Sequence, residues 1–146
     1  MHTRRSALYF VKVAGDGSIS LSSLSRPVAY VDSPLADTLQ ALIAGPLPSE
    51  KSRGFRTLIP EGTRVEKLYV QGNTAYLSFN ESFRFNPYGR DGLQAQLRQV
   101  VYTVTEFSNV DRVQIMIGGK VTEYLGPEGI RIRDPLSRDS LGDDAR

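Results

Sequence analysis

The chain has no cysteine, no tryptophan and a single histidine, His2, among its 146 residues. The missing thiols exclude a disulfide scaffold, a thiolate zinc site and a cysteine nucleophile. One histidine beside the terminus is a poor basis for a His-centred triad or a His-rich metal site. Charge of one sign is also scarce, because 18 Lys+Arg against 16 Asp+Glu leave a net +2. Arg4, Arg5 and Lys12 fall in an N-terminal stretch without any acid, so the remainder of the chain is slightly acidic. A nucleic-acid-binding domain carries its basic excess on a folded face rather than on a short arm, so no nucleic-acid partner is expected. No run of apolar residues is long enough to read as a membrane-spanning helix. The apolar stretch Ala7 to Val13 is too short for the core of a signal peptide and lacks a cleavage site. Two readings stay open: a cytoplasmic protein, or one whose targeting segment has been removed.

What is present suits one soluble α/β (α+β) domain, at 40% hydrophobic and 23% charged residues. Leu8 to Val13 is β-branched and aromatic, which predicts a strand, with a turn at Gly15-Asp-Gly17. Ile19 and Leu21 begin a second strand, and Val28 to Val31 a third, with Pro27 marking an edge or a break. Ser33-Pro34 opens a helix, because Ser caps free N–H groups and Pro suits the first helical position. Leu35, Leu39, Leu42 and Ile43 share one face of it, and Gly45-Pro46 stops it.

Residues Pro46 to Gly62 read as a loop, with Phe55 to Ile59 touching the sheet. Arg64 to Val70 and Thr74 to Phe79 form a hairpin around Gln71-Gly-Asn73. Asp91 and Gln94 have the spacing of a capping box. Leu93, Leu97, Val100, Val101, Val104 and Phe107 then mark a second amphipathic helix. Arg112 to Ile117 is a strand that turns at Gly118-Gly119, with Val121 to Leu125 pairing back. The order β–(β)–α–β–β–α–β predicts two helices packed on one face of a small mixed or antiparallel sheet. Residues 1–6 read as a basic N-terminal arm, 7–135 as the folded domain, and 136–146 as a disordered acidic tail.

No pattern in the chain assembles a catalytic, cofactor or metal site. Glu61 with Glu66, and Glu106 with Asp111, are the nearest carboxylate pairs and read as solvated acids. Asp16 lacks the partners of a calcium loop, and Gly118-Gly-Lys120 lacks most of a phosphate loop. Gly89 to Gly92 and Gly126 to Gly129 have GXXG spacing, but each holds an acid that repels phosphate, and each reads as a turn. Lys51, Arg53, Arg56, Arg64 and Lys67 surround Phe55 and Tyr69, a cluster suited to an acidic partner or phosphate, against the plainer reading of a mixed surface. Phe83, Phe85 and Tyr88, with Arg90 beside them, form an aromatic segment that either pins a loop to the core or anchors a partner.

Several pieces in order resemble the GerMN domain family, the GerM-type module of sporulation and spore germination. They are Leu8-Tyr-Phe10, Leu39 to Pro46, Leu58-Ile-Pro-Glu-Gly-Thr63, and Val65 with Leu68 and Val70. Gly72 to Ser78 with Glu81 and Phe83, Gln99 to Thr105, and Val113 to Gly119 complete the set, which runs from about Ala7 to Pro135. The resemblance implies a compact α/β module similar to the ring-building motifs of sporulation channel proteins. It implies no enzyme activity and no cofactor. It implies an extracytoplasmic, envelope-associated assembly module, often on a membrane-tethered protein, although no lipobox cysteine or leader is present here. The expected partners are other envelope proteins, a second copy of the chain, or peptidoglycan beside a wall hydrolase. Membrane contact would come only through an anchor. Phe83, Phe85, Tyr88 and Arg90 are the expected contact residues.

Overall fold

The computed structural model describes residues 2–127 and 129–141. The first two strands, β1 (His2–Val13) and β2 (Ile19–Tyr30), form one long antiparallel ribbon. Strand pairing therefore begins at His2, and the expected basic arm is part of a sheet. The two short strands expected after the Gly15 turn are one continuous strand with Pro27 inside it. Its register explains how. Tyr9 and Val11 direct their N–H groups away from β2, to Thr103 Oγ1 (2.9 Å) and the Arg56 carbonyl (2.8 Å). Arg5 shares their alternation, and Pro27 lies opposite Arg5, so the missing N–H falls on the ribbon's outer edge.

Helix α1 (Pro34–Ala44) forms as its sequence predicts. Ser33 accepts the Ala36 N–H at 3.1 Å, Pro34 opens the first turn, and Gly45 at φ 91° ends it. Leu35, Leu39 and Leu42 are its buried stripe. A five-residue helix, α2 (Pro48–Ser52), follows where a loop is expected. It is too short to show periodicity, and tertiary contact with β2 holds it instead: the Glu50 carboxylate accepts from Arg26 Nε at 3.0 Å and from the Leu47 N–H at 2.8 Å.

Strands β3 (Val65–Gln71) and β4 (Thr74–Phe79) pair antiparallel around Gly72-Asn73, both at positive φ as a tight hairpin turn requires. Helix α3 (Gly89–Val104) then crosses over to β5 (Arg112–Ile117), which lies parallel to β4. A parallel pair needs such a crossover. β6 (Lys120–Val121) turns back on β5, giving a mixed four-stranded sheet in the order β3-β4-β5-β6. β7 (Tyr124–Leu125) and β8 (Ile130–Arg131) form a small third sheet. Among the described residues the result is one compact α+β domain with three α-helices and three small mixed or antiparallel sheets.

The α3 stripe Leu93, Leu97, Val100, Val101 and Val104 is buried with Leu8, Phe10, Leu39, Leu77, Phe79 and Ile115 in one core. The helix ends at Val104, and Phe107 is buried from the turn beyond it. Its start also departs from expectation: no side chain caps it, and Asp91 is exposed rather than part of a capping box.

Residues 136–141, expected as disordered tail, are held in place. Leu136 exchanges two 2.8 Å backbone hydrogen bonds with Val113, and Leu141 is buried. The Leu141 carbonyl accepts from Gln94 at 3.0 Å and Arg98 at 2.6 Å, both on α3. Low apolar content hides this anchoring, because one buried leucine at each end and backbone pairing supply it. Residues 142–146 lie outside the described residues.

Candidate functional site

The aromatic segment divides into inner and outer parts. A short 3-10 turn, Glu81–Arg84, buries Phe83 completely, with its ring stacked on Phe79 at 4.1 Å between centroids. Phe83 is therefore part of the core and not a contact residue, contrary to expectation. The 3-10 turn ends at Arg84, the backbone becomes extended at Phe85, and Phe85 and Tyr88 are 65% and 64% exposed. Arg90, on the first turn of α3, is also exposed. The structure thus leaves Phe85, Tyr88 and Arg90 at the surface and withdraws Phe83.

Buried polar side chains of α3 hold this surface in shape. Gln96 Nε2 donates to the Phe83 carbonyl at 2.7 Å, and its Oε1 accepts from Asn86 at 3.0 Å. Asn86 also donates to the Leu58 carbonyl at 2.9 Å and accepts the Tyr88 N–H at 3.0 Å. Gln99 accepts the Leu58 N–H at 2.8 Å and donates to Thr57 Oγ1 at 3.0 Å. Two glutamines and one asparagine thereby fix the 57–58 and 83–88 segments against one helix. Each amide is satisfied on both its donor and acceptor sides, as a buried amide requires.

Tyr88 helps to line an apolar cleft of about 490 Å³, whose walls include Val13 and Ile19 of the ribbon tip, Arg56 and Leu58. The expected basic cluster splits. Lys67 lies over Tyr69, which stacks on Tyr76 at 4.7 Å, on the four-stranded sheet. Arg53 lies over Phe55, where Lys12 from β1 joins it at 4.5 Å from the ring centroid. Lys12 is distant in sequence, and only the Val11–Arg56 bridge brings it there.

A second polar cluster, missed because Arg138 falls in the expected tail, sits at the end of α3. Tyr9 Oη donates to Glu106 at 2.8 Å, and Arg138 donates to the same oxygen at 2.9 Å. Arg138 also donates to the Tyr102 carbonyl at 3.0 Å and to Thr105 Oγ1 at 2.9 Å, and lies over the Tyr102 ring. The two donors hold the Glu106 carboxyl below the usual range, while burial and the Glu106 charge push the Tyr9 hydroxyl upward. Every group is committed to tying the C-terminal segment to β1 and α3. Among the described residues, no group of three or more His, Asp or Glu is placed to hold a metal. Glu61 and Glu66 are both exposed, and the Gly89–Gly92 segment is the first turn of α3.

Residues 7–123 match the model of the Germane family, described as sporulation and spore germination. Spore germination protein GerM of Bacillus subtilis (strain 168) is 29% identical over 113 residues, which are 77% of this chain and 30% of that protein. The chain thus spans about a third of that curated relative. The fold is shared with the tandem GerMN domains of the B. subtilis sporulation protein GerM, at a TM-score of 0.73 and 20% identity, over 94% of this chain and 46% of that one. It is also shared with a Clostridium perfringens protein classed as a candidate lipoprotein, at a TM-score of 0.66 and 18% identity, over 94% and 89% of the two chains.

Proposed function

The chain belongs to the Germane family of sporulation and spore germination domains, and from that premise we propose that it is a non-catalytic, extracytoplasmic module that binds other envelope proteins. The observation that carries this reading is the surface formed by Phe85 and Tyr88, two large aromatics left in solvent although the core beside them is closely packed. Leaving them exposed forgoes burial energy that their neighbour Phe83 gains, and exposed aromatics on an ordered surface are typical anchors for a partner. The similarity to a candidate lipoprotein favours association with the envelope. No helix of the described residues is long and apolar enough to cross a membrane, so in this reading tethering comes from outside the domain. Assembly with a second copy of the chain is included in the same reading.

A second reading is a peptidoglycan-binding accessory domain that positions a wall hydrolase. The exposed rings of Tyr69, Tyr88 and Tyr124 favour it, since sugar rings stack on tyrosine faces. Crosslinking in the source organism, followed by pull-down from the envelope fraction and mass spectrometry, separates the two. One or two defined envelope proteins are expected. Retention on purified sacculi without any protein partner would transfer the assignment to the wall. Recovery of neither would overturn both.

A further inference from the structure

We propose that the cleft lined by Tyr88 docks an acidic peptide segment of a partner protein, with an apolar side chain in the cleft and carboxylates on the cations beside it. This rests on the reading of the domain as a protein-binding module and names the surface and the partner's chemistry.

Shape is the first argument. The cleft is concave and draws on three separate segments: the ribbon tip with Val13 and Ile19, the stretch Arg56 to Leu58, and Tyr88. Its volume, about 490 Å³, suits one or two side chains of a peptide. Two of its lining residues, Val13 and Tyr88, are 51% and 64% exposed. The walls are already set: Val11 and Arg56 exchange two backbone hydrogen bonds, and Leu58 is tied through both its N–H and its carbonyl to Gln99 and Asn86. A preformed hollow spares the ordering cost that weakens binding to mobile loops.

Charge is the second argument. Arg56 lines the cleft; Lys12 and Arg53 lie exposed over the adjacent Phe55 and Lys51 is exposed beside Arg56, and among the described residues no carboxylate lies within ion-pair distance of any of the four. Glu50 is the single acid between Gly45 and Pro60, and it is turned inward to Arg26. The cations are nonetheless positioned. Lys12 and Arg53 rest on the Phe55 ring, and Arg56 Nη1 donates to the carbonyls of Lys51 and Phe55. Those partners are neutral or π-faces, so they fix the side chains without cancelling their charge. In a chain with a net charge of only +2 these four cations outnumber the one acid of the ribbon tip, Asp16, which is turned to the Ser18 N–H. A partner that fits must carry carboxylates and an apolar anchor together, and a basic segment would be repelled. Val13, Ile19 and Leu58 line a hollow that a flat bilayer surface does not enter, which favours a peptide over an anionic membrane.

The test is an NMR titration of the full 15N-labelled chain with the N-acetylated hexapeptide amide Asp-Glu-Leu-Phe-Asp-Glu, against the same peptide with lysine at every acidic position. Saturable shifts are expected at the amides of Val13, Ile19, Leu58 and Tyr88, and binding weakens as salt is raised. The double variant Lys12→Glu/Arg53→Glu, checked by circular dichroism, is expected to bind at least about tenfold more weakly. Tyr88→Ala is expected to weaken binding with an unchanged thermal midpoint. Equal binding of the lysine peptide, shifts elsewhere, or no binding up to about 5 mM would overturn the proposal. So would binding to phosphatidylglycerol vesicles, or self-association in sedimentation, that is lost in these variants while the peptide does not bind. Used as crosslinking bait, the double variant separates this inference from its premise. Envelope proteins captured equally by wild type and variant sink the acidic-peptide site alone, whereas none captured by the wild type sinks the protein-binding reading itself.

Discussion

The segment from Pro48 to Arg56 treats charge in two opposite ways on its two sides. Inward, Glu50 meets Arg26 through two contacts of 3.0 and 3.3 Å, and Arg26 also reaches the Gly45 carbonyl that ends α1. Outward, Lys51, Arg53 and Arg56, joined by Lys12, carry their charge into solvent with no carboxylate of the described residues in ion-pair distance. A desolvated charge must be paired, because leaving it alone costs several kcal/mol. A solvated charge carries no such obligation, and what it does in the molecule depends on what it meets. The inner side therefore speaks of stability and the outer side of recognition, although the residue types are alike.

The largest effect that would test this contrast is Glu50→Ala. It is expected to cost about 3–5 kcal/mol in urea unfolding, because Arg26 stays buried without its anion. Replacing the pair together, Arg26→Met with Glu50→Leu, is expected to recover most of that loss. Equal losses in the single and double variants would show that packing, not charge, is what the pair provides.

The same contrast recurs two residues apart in the aromatic segment. Phe83→Ala is expected to cost about 3–5 kcal/mol as a core truncation. Phe85→Ala should stay within about 0.5 kcal/mol, as a surface change does. Comparable losses at both positions would erase the distinction between core and contact surface. Gln99→Leu is a smaller break, about 1–3 kcal/mol, because it leaves the Leu58 N–H without its acceptor and Thr57 Oγ1 with only the Ile59 N–H. Its amide crosspeaks should move mainly at residues 57 and 58.

The smallest expected effect is at Glu106. Its carboxyl is held low by Arg138 and then by Tyr9, so the unfolded chain binds its proton more readily. The stabilisation is complete above the ordinary carboxylate range and is lost as pH falls through the lowered value. The group is more than a third exposed, so the effect is modest. Glu106→Gln is expected to flatten this part of the acid limb in unfolding curves recorded against pH. An unchanged limb would show that the Arg138 contact is not felt in stability.

Much of the fold was legible in the chain because it rests on local chemistry. Ser33, Pro34 and Gly45 mark both ends of α1, and Gly72-Asn73 marks the hairpin. The α3 stripe identified the core helix. Other elements have no local mark. α2 is a single turn held by Arg26. β2 continues through Pro27 because a two-stranded ribbon has an outer edge on which the missing donor costs nothing. The capping box at Asp91 was misread because the helix starts at Gly89, one residue after an uncapped Tyr88. Of the candidate contact residues, Phe85, Tyr88 and Arg90 lie at the surface and Phe83 lies in the core. Two residues apart, the two aromatics would share a face in a strand; the 3-10 turn and the stack on Phe79 separate them. Lys12 and Arg138 were invisible as site members, since each meets its neighbours only across long stretches of chain.

By itself the sequence determined the two long helices, the hairpin, the apolar stripes and the family, because caps, turns and periodicity act within a few residues. The tertiary structure alone decided which aromatics stay wet, which acid is buried and which cations stand together. Those outcomes depend on who packs against whom, and the free energy of a charge or a ring is set by its surroundings rather than by its place in the chain.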